Sequence, residues 1–417
     1  MPSVSNEEIE NRLTELLTPA VFGQMAYYRQ LGMRSRILNL PLMVAAVLTL
    51  LWRQVPSVHE LTRMLAREDL LWCEAVAVSQ QALSLRFLMF PAELFERVYK
   101  ALLPQLRQRW DQRQRRPLPP SIQMANEHFK QIWATDGSTL EAIFRKLDTH
   151  KHKSPGELAG KMCMVIDLMR QLPEEIWFSE KARTFDTNFI PELLALVTNK
   201  TLLVLDRGFY DFQFFADLTE KGSHFITRLK KNTKVRVIKQ LSNTDTVKDM
   251  IVNLGTGQNG SPVLKVRVVE IRFGRNWYRY VTSVLEPEIL PPFVVADLYR
   301  RRWRIEDAFN TAKRLLNLSY LWTGSVNGIQ LQIWATWLFY AALVDLGDEV
   351  ADAMTLPFDR ISLEMLFRGL YHFMQAFDKG KAFDPVRYFS APENQDLGIV
   401  KRLRKKIAVL NLSPYPT

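Results

Sequence analysis

The chain has 417 residues, 47% hydrophobic and 24% charged, which excludes intrinsic disorder and leaves room for two or three domains with a large buried core. A formal net charge of +11 points to a polyanionic partner, nucleic acid above all. Cys73 and Cys163 are the only cysteines, and the six histidines are scattered, with only His150 and His152 close, in a lysine-rich loop without other ligand types. A disulfide framework or thiolate zinc cluster is thereby excluded, and any metal is expected on carboxylates, which favours Mg2+, Mn2+ or Ca2+.

The N-terminus is acidic and polar, unlike a signal peptide. Its stretch SNEEIENRLTELL carries Ser5 followed three residues on by Glu8, a capping-box spacing that predicts a helix start. The longest apolar run, ILNLPLMVAAVLTLLW, is sixteen residues long and contains Asn39 and Pro41, so it falls short of a membrane span. A buried helix over about 41–53 is expected instead, with no membrane partner and a cytosolic location. A further helix is expected over about 57–68, opening at Ser57 with Glu60 three residues on. The helical region ends in the basic, proline-rich stretch LRQRWDQRQRRPLPPS, where Pro117, Pro119 and Pro120 stop any helix and mark a boundary near residue 120. Arg107, Arg109, Arg113, Arg115 and Arg116 in this stretch suit either a solvated helix end or contact with a nucleic-acid backbone.

Beyond the linker, strands alternate with helices. QIWATDGS reads as a short strand ending in Asp136, KMCMVIDLM and EEIWFSE as strands, and DTNFIPELLALVT as a helix capped by Asp186. TLLVLDRGF reads as a buried strand ending in Asp206, DFQFFADLTEKG as a helix and HFITRLKKN as another strand. This alternation predicts an α/β layer with parallel strands. From about 230 to 288 the reading turns to β alone, with TKVRVIKQL, LKVRVVEIRF and WYRYVTSVL as strands and GTGQNGSP as a turn. The remainder returns to helix and ends in the basic KRLRKK at 401–406.

Two carboxylates stand out by placement. Asp136 and Asp206 each end an apolar strand and are followed within two residues by glycine. In open α/β sheets ligands bind at that edge, although either Asp could equally cap the next turn or helix. A third carboxylate, Glu306, lies in LYRRRWRIEDAFNTAKRLLNL, which reads as one helix. Ile305, Ala308, Phe309, Ala312 and Leu316 form an apolar seam expected to pack on the sheet. Tyr299, Arg302, Glu306 and Lys313 form a polar stripe about 100° away. An ordinary i,i+4 ion pair, worth roughly a few tenths of a kcal/mol, would account for Arg302 and Glu306 but not for Tyr299 and Lys313.

The spacing Tyr-x2-Arg-x3-Glu-x6-Lys is complete here and resembles the Y-R-E-K signature of DDE transposases of the insertion-sequence-four family. WATDGSTL resembles their first-Asp strand, LLVLDRGFYD their second-Asp strand, and HFITRLKKNT the strand that follows. The order Asp, Asp, β insertion, Glu helix also matches, and the resemblance covers roughly residues 125–345. It implies an α/β, ribonuclease H-like catalytic core at 121–229 and 289–345, interrupted by an all-β insertion at 230–288. A helical N-terminal DNA-binding domain at 1–120 and a helical C-terminal region at 346–417 would flank it.

The implied activity is cut-and-paste transposition by a homodimer acting on terminal inverted repeats and target DNA. Phosphodiester transfer needs an activated oxygen and relief of charge on the leaving oxygen, which two Mg2+ about 4 Å apart supply, with Mn2+ as substitute. Asp136 would bridge both ions, with Asp206 and Glu306 each holding one. The resemblance further implies phosphate contacts by Tyr299, Arg302 and Lys313, for which a phenol, a guanidinium fork and an ammonium are suited. It also implies an insertion that holds DNA ends and helps to form hairpins. Trp277 is the candidate for stacking on a flipped base, with Tyr278 and Tyr280 as alternatives; a strand aromatic in the insertion's own core would look the same. Lys230, Lys231, Lys234, Arg236 and Lys239 give that region a basic surface, as a solvated edge strand also would. A domesticated, inactive relative and another ribonuclease H-like nuclease are the alternatives; the complete carboxylate set disfavours the first, the β insertion and polar stripe the second.

Overall fold

The structure, a computed structural model, describes residues 7–33, 36–140, 160–257, 260–316, 318, 321–322, 325–400 and 410–416. The Ser5 cap, the His150/His152 loop, part of the GTGQNGSP turn and the 401–406 basic run lie outside them. The chain divides into two compact units. One comprises the described residues of Met1–Pro117, Leu140–Ala159 and Phe309–Leu403; the other those of Leu118–Thr139, Gly160–Ala308 and Arg404–Thr417.

The first unit is helical. It opens with α1 (Glu7–Phe22), α2 (Met25–Gln30), α3 (Leu40–Trp52), α4 (Val58–Leu65), α5 (Gln80–Met89) and α6 (Ala92–Gln112). Asn39 and Pro41 explain where α3 begins: the Asn39 side chain accepts the Leu42 N–H and Pro41 sits in the first turn, where its missing N–H costs nothing. All of α3 is buried, as expected for the apolar run. Ser57 caps α4 by accepting the Glu60 N–H at 3.1 Å.

The second unit opens with α7 (Pro120–Asn126) and holds a mixed, nine-stranded sheet. Its strands are β1 (Gln131–Thr139), β2 (Lys161–Asp167), β3 (Pro173–Ser179), β4 (Thr201–Leu205), β5 (His224–Arg228), β6 (Val235–Asn243), β7 (Val247–Leu254), β8 (Leu264–Phe273) and β9 (Asn276–Thr282), in spatial order β3-β2-β1-β4-β5-β9-β8-β7-β6. Its helices are α8 (Ile190–Leu196), α9 (Phe212–Glu220), α10 (Pro292–Arg301) and α11 (Trp303–Asn310), the last running into the other unit. Only β1–β4 and β4–β5 pair in parallel; every other neighbour is antiparallel. The β-only region is not a separate layer, because β9 pairs with β5 and carries the sheet onward. A buried ion pair inside it, Arg267 to Asp249 at 2.6 Å, also ties it to the chain before α10, where Arg267 donates to the Leu290 carbonyl at 2.7 Å. Strand β7 has no counterpart in the strand assignments made from sequence.

One sheet face carries Trp133, Leu203, Leu205 and Phe225, covered by Leu193 of α8 and Phe214, Phe215 and Leu218 of α9. The Phe215 and Phe225 rings stack at 4.2 Å. Helix α10 lies against β4, β5, β8 and β9, with Val294, Val295 and Leu298 buried.

The chain then returns to the helical unit with α12 (Val326–Ala353), α13 (Leu363–Asp378) and α14 (Pro385–Ser390). Helix α12 is long and apolar enough to cross a membrane by length and composition, yet it is almost wholly buried as a core helix. Phe309 lies on Trp337 of α12, ring centroids 6.0 Å apart, so this part of the apolar seam meets a helix rather than the expected sheet. On α12, Asp345, Asp348 and Asp352 follow the i, i+3, i+7 rule and meet the arginines after α6. Arg113 bonds Asp345 at 2.8 Å and Asp348 at 3.0 Å, Arg116 pairs with Asp348, and Asp352 accepts the backbone N–H groups of Arg115 and Arg116. Arg113 and Arg116 are therefore neither a solvated helix end nor a DNA-contacting surface. Their partners lie more than two hundred residues away, beyond the reach of any local pattern.

Breaking such a network from one side leaves a buried charge uncompensated. Asp348→Ala is expected to cost about 3–5 kcal/mol, read as a lower urea midpoint. A change under about 0.5 kcal/mol, the range of an ordinary surface substitution, would show the network to be solvated.

Candidate active site

Register brings the first two carboxylates together. The parallel pairing of β1 with β4 ends at Thr135 opposite Leu205, so Asp136 and Asp206 are the next residues on each chain. Side chains alternate across a sheet. Thr135 and Leu205 belong with the α8–α9 face, so Asp136 and Asp206 turn to the opposite face, where α10 lies. Asp136 does not end its strand, as expected from sequence. β1 continues to Thr139 because β2 goes on pairing with it after β4 has stopped. Asp206 does follow its strand, and accepts the Gly208 N–H at 3.3 Å.

Glu306 arrives on α11. The stretch read as one helix is broken at Arg302: α10 ends at Arg301, α11 starts at Trp303, and a π-helical turn follows over Thr311–Leu315. At the break the N–H groups of Arg302 and Ile305 bond three residues back, to Tyr299 and Arg302, instead of four. The break puts Arg302 on the sheet edge. Its guanidinium pairs with Asp136, lies 3.3 Å from Asp206 and 3.8 Å from Glu306, and is almost fully buried. Sequence reading anticipated the Glu306 partner, at i,i+4; the Asp136 contact is the tighter one and comes from 166 residues away.

The electrostatics follow. Burial pushes the Asp136 carboxyl up to about 8; Arg302 pulls it down, while the hydrogen bond its protonated form donates to Glu306 and the charge of Glu306 push it up. Burial would lower the Arg302 guanidinium, but Asp136, Asp206 and Glu306 together raise it, so it stays charged. Three acidic groups thus share one fixed positive charge.

The other predicted residues divide. Tyr299 is buried with its ring 5.4 Å from that of Tyr280 and with the Arg302 guanidinium 5.8 Å from its centroid. Lys313 falls in the π-helical turn, outside the sheet unit. Trp277 faces Arg272 across the β8–β9 hairpin, is partly exposed, and carries the Lys248 ammonium 5.0 Å from its ring, so it is not a core aromatic. Lys230 and Lys231 are exposed after β5, Lys230 lying 4.9 Å from the Tyr210 ring.

Two neighbours of the site stand outside the candidate residues expected from sequence. Trp303, 59% exposed, lies three residues before Glu306 and 5.5 Å from the Arg302 guanidinium; an indole on a polar stripe was the available signal. Asp186 caps nothing: it opens a 3-10 turn, Asp186–Phe189, and pairs with Lys161 at 2.6 Å.

Among the described residues no group of three or more His, Cys, Asp or Glu side chains is arranged to hold a metal directly. The Arg302 guanidinium already lies between the carboxylates. Their donor chemistry nonetheless suits a hard divalent cation, since all are carboxylate oxygens on rigid backbone and the space they share already accepts a cationic group.

Comparison with known proteins places the chain in a family. The family model described as "Transposase DDE domain" matches residues 127–341. A Sinorhizobium fredii protein named as a transposase, y4zB, is 25% identical over 46% of this chain and 54% of its own length. A Geobacillus stearothermophilus protein named as a transposase for insertion sequence element IS5377 is 27% identical over 41% of this chain and 46% of its own. A Synechocystis protein named as a transposase for insertion sequence element IS4SA is 28% identical over 38% and 45%. The chain spans about half the length of the curated relatives it matches. The family model takes in β1, the end of β4, α10 and α11, and thus all three carboxylates and Arg302: the chain belongs to the transposase DDE domain family.

Proposed function

We propose that this protein is a DNA transposase of the insertion-sequence-four type with a ribonuclease H-like core. It acts as a homodimer, inside a bacterial cell, on the terminal inverted repeats of its own element and on target DNA. The observation that supports this most is the convergence of Asp136, Asp206 and Glu306, from within β1, the end of β4 and one helix, around the Arg302 guanidinium.

In this reading Asp136, Asp206 and Glu306 would together hold two Mg2+, with Mn2+ as substitute. Bound there, the ions would supply an activated oxygen nucleophile and offset the charge of the leaving oxygen. The protein needs no nucleophile of its own. Arg302 offers its guanidinium fork to a phosphate beside the scissile bond. Lys313 adds a point charge and Tyr299 holds Arg302 in place with its hydroxyl near the same phosphate. Lys230 and Lys231 contact the DNA backbone. Trp277, on the hairpin tip, stacks on an extruded base at a hairpin intermediate, a contact worth about 1–3 kcal/mol.

Three experiments test this. Glu306→Gln is expected to abolish Mg2+-dependent cleavage of labelled end DNA while leaving end binding intact; retained cutting removes Glu306 from the metal set. Arg302→Ala is expected to weaken end binding and to lower the slope of affinity against salt by about one, the signature of one lost phosphate contact. An unchanged slope leaves Arg302 as an ion-pair partner only. Trp277→Ala should impair hairpin formation more than first-strand nicking, and equal loss of both would assign Trp277 to folding.

A further inference from the structure

The two glycines after the carboxylates mark a residue outside the Asp, Asp, Glu set. Asp136 faces α10, so its neighbour Gly137 faces the opposite way, as alternation requires. Asp186 lies there. One carboxylate oxygen of Asp186 sits so close to Gly137, and the other so close to Gly208, that a Cβ at either position would collide with it. Neither glycine has a positive φ, so the requirement is for space and not for backbone freedom. Asp186 is held in turn by Lys161, the β2 residue opposite Thr139 of β1, whose ammonium lies 2.6 Å from one Asp186 oxygen and donates to the Thr184 carbonyl at 2.8 Å. A single half-buried carboxylate thus lies against the backbone of both segments at the point where β1 and β4 cease to pair.

We propose that Asp186 is a positioning residue: wedged between Gly137 and Gly208 and neutralised by Lys161, it fixes the separation and aim of Asp136 and Asp206. Beyond Thr135 and Leu205 no ladder hydrogen bond joins the two segments; β1 stays paired with β2, and without the wedge the turn after β4 is free to move away from it. The inference rests on the reading of Asp136, Asp206 and Glu306 as the metal-holding set.

The test is Mn2+ affinity of the full chain without DNA, by titration calorimetry, alongside circular dichroism and thermal midpoint. Asp186→Ala is expected to raise the Mn2+ Kd about tenfold, the scale seen when a residue that orients metal ligands is lost. Asp186→Asn keeps the wedge's volume and is expected to recover most of that loss. Lys161→Met, which leaves the Asp186 charge without its partner, is expected to weaken Mn2+ binding in a protein with wild-type secondary structure. A folded Asp186→Ala with an Mn2+ Kd within about twofold of wild type overturns the proposal; if Asp186→Ala does not fold, an unchanged Kd in Lys161→Met does so instead. Asp136→Asn is the control. It should abolish Mn2+ binding, and if it does not, the metal-site reading fails independently of Asp186.

Discussion

The parallel ladder between β1 and β4 runs from Gln131 opposite Thr201 to Thr135 opposite Leu205, and the candidate site begins one residue past its end. Neighbouring strands lie about 4.8 Å apart, so the distance between Asp136 and Asp206 starts from a backbone spacing rather than from side-chain contacts. Alternation then decides which way each group points. One step earlier, a carboxylate would be buried in the aromatic and aliphatic layer under α8 and α9. The apolar side chains of β4 are all buried, two on each face of the sheet.

Charge is arranged in the molecule by pairing rather than by dispersal. Arg302 among three carboxylates, Arg113 and Arg116 against Asp345 and Asp348, and Arg267 against Asp249 are all buried ion pairs. Arginine suits all three sites because its guanidinium resists deprotonation and binds with a planar fork. Such pairs add little net stability and much geometry, since each partner is costly to bury without the other. The excess positive charge therefore resides elsewhere, on exposed groups such as Lys230 and Lys231.

Much of this was legible in the sequence where the rule involved is local. The length of the apolar run that forms α3 pointed to a buried helix, Ser57 capped α4, and an apolar run followed by Asp and glycine singled out Asp136 and Asp206. The i,i+4 spacing brought Arg302 to Glu306. The failures share one cause. β1 runs past Asp136 because β2 pairs with it there. Asp186, in a sequence that reads as a cap, is drawn away by Lys161. Arg116 finds its partner on α12. In each case a contact distant in the chain outweighed a local preference, and no single sequence displays such contacts.

The β5–β9 pairing bears on how this region can be dissected and how it can vary. Strands β6 to β9 are stitched into the sheet at Ile226–Arg228 and fastened to Leu290 through Arg267. They have no autonomy as a module. Excising 230–288 would uncover the hydrogen-bonding edge of β5, an invitation to edge-to-edge association between molecules. Growth or shrinkage in this region is instead free at the β6–β7 and β7–β8 turns, far along the sheet from the β5 register, so divergence in length among relatives should gather at those two tips.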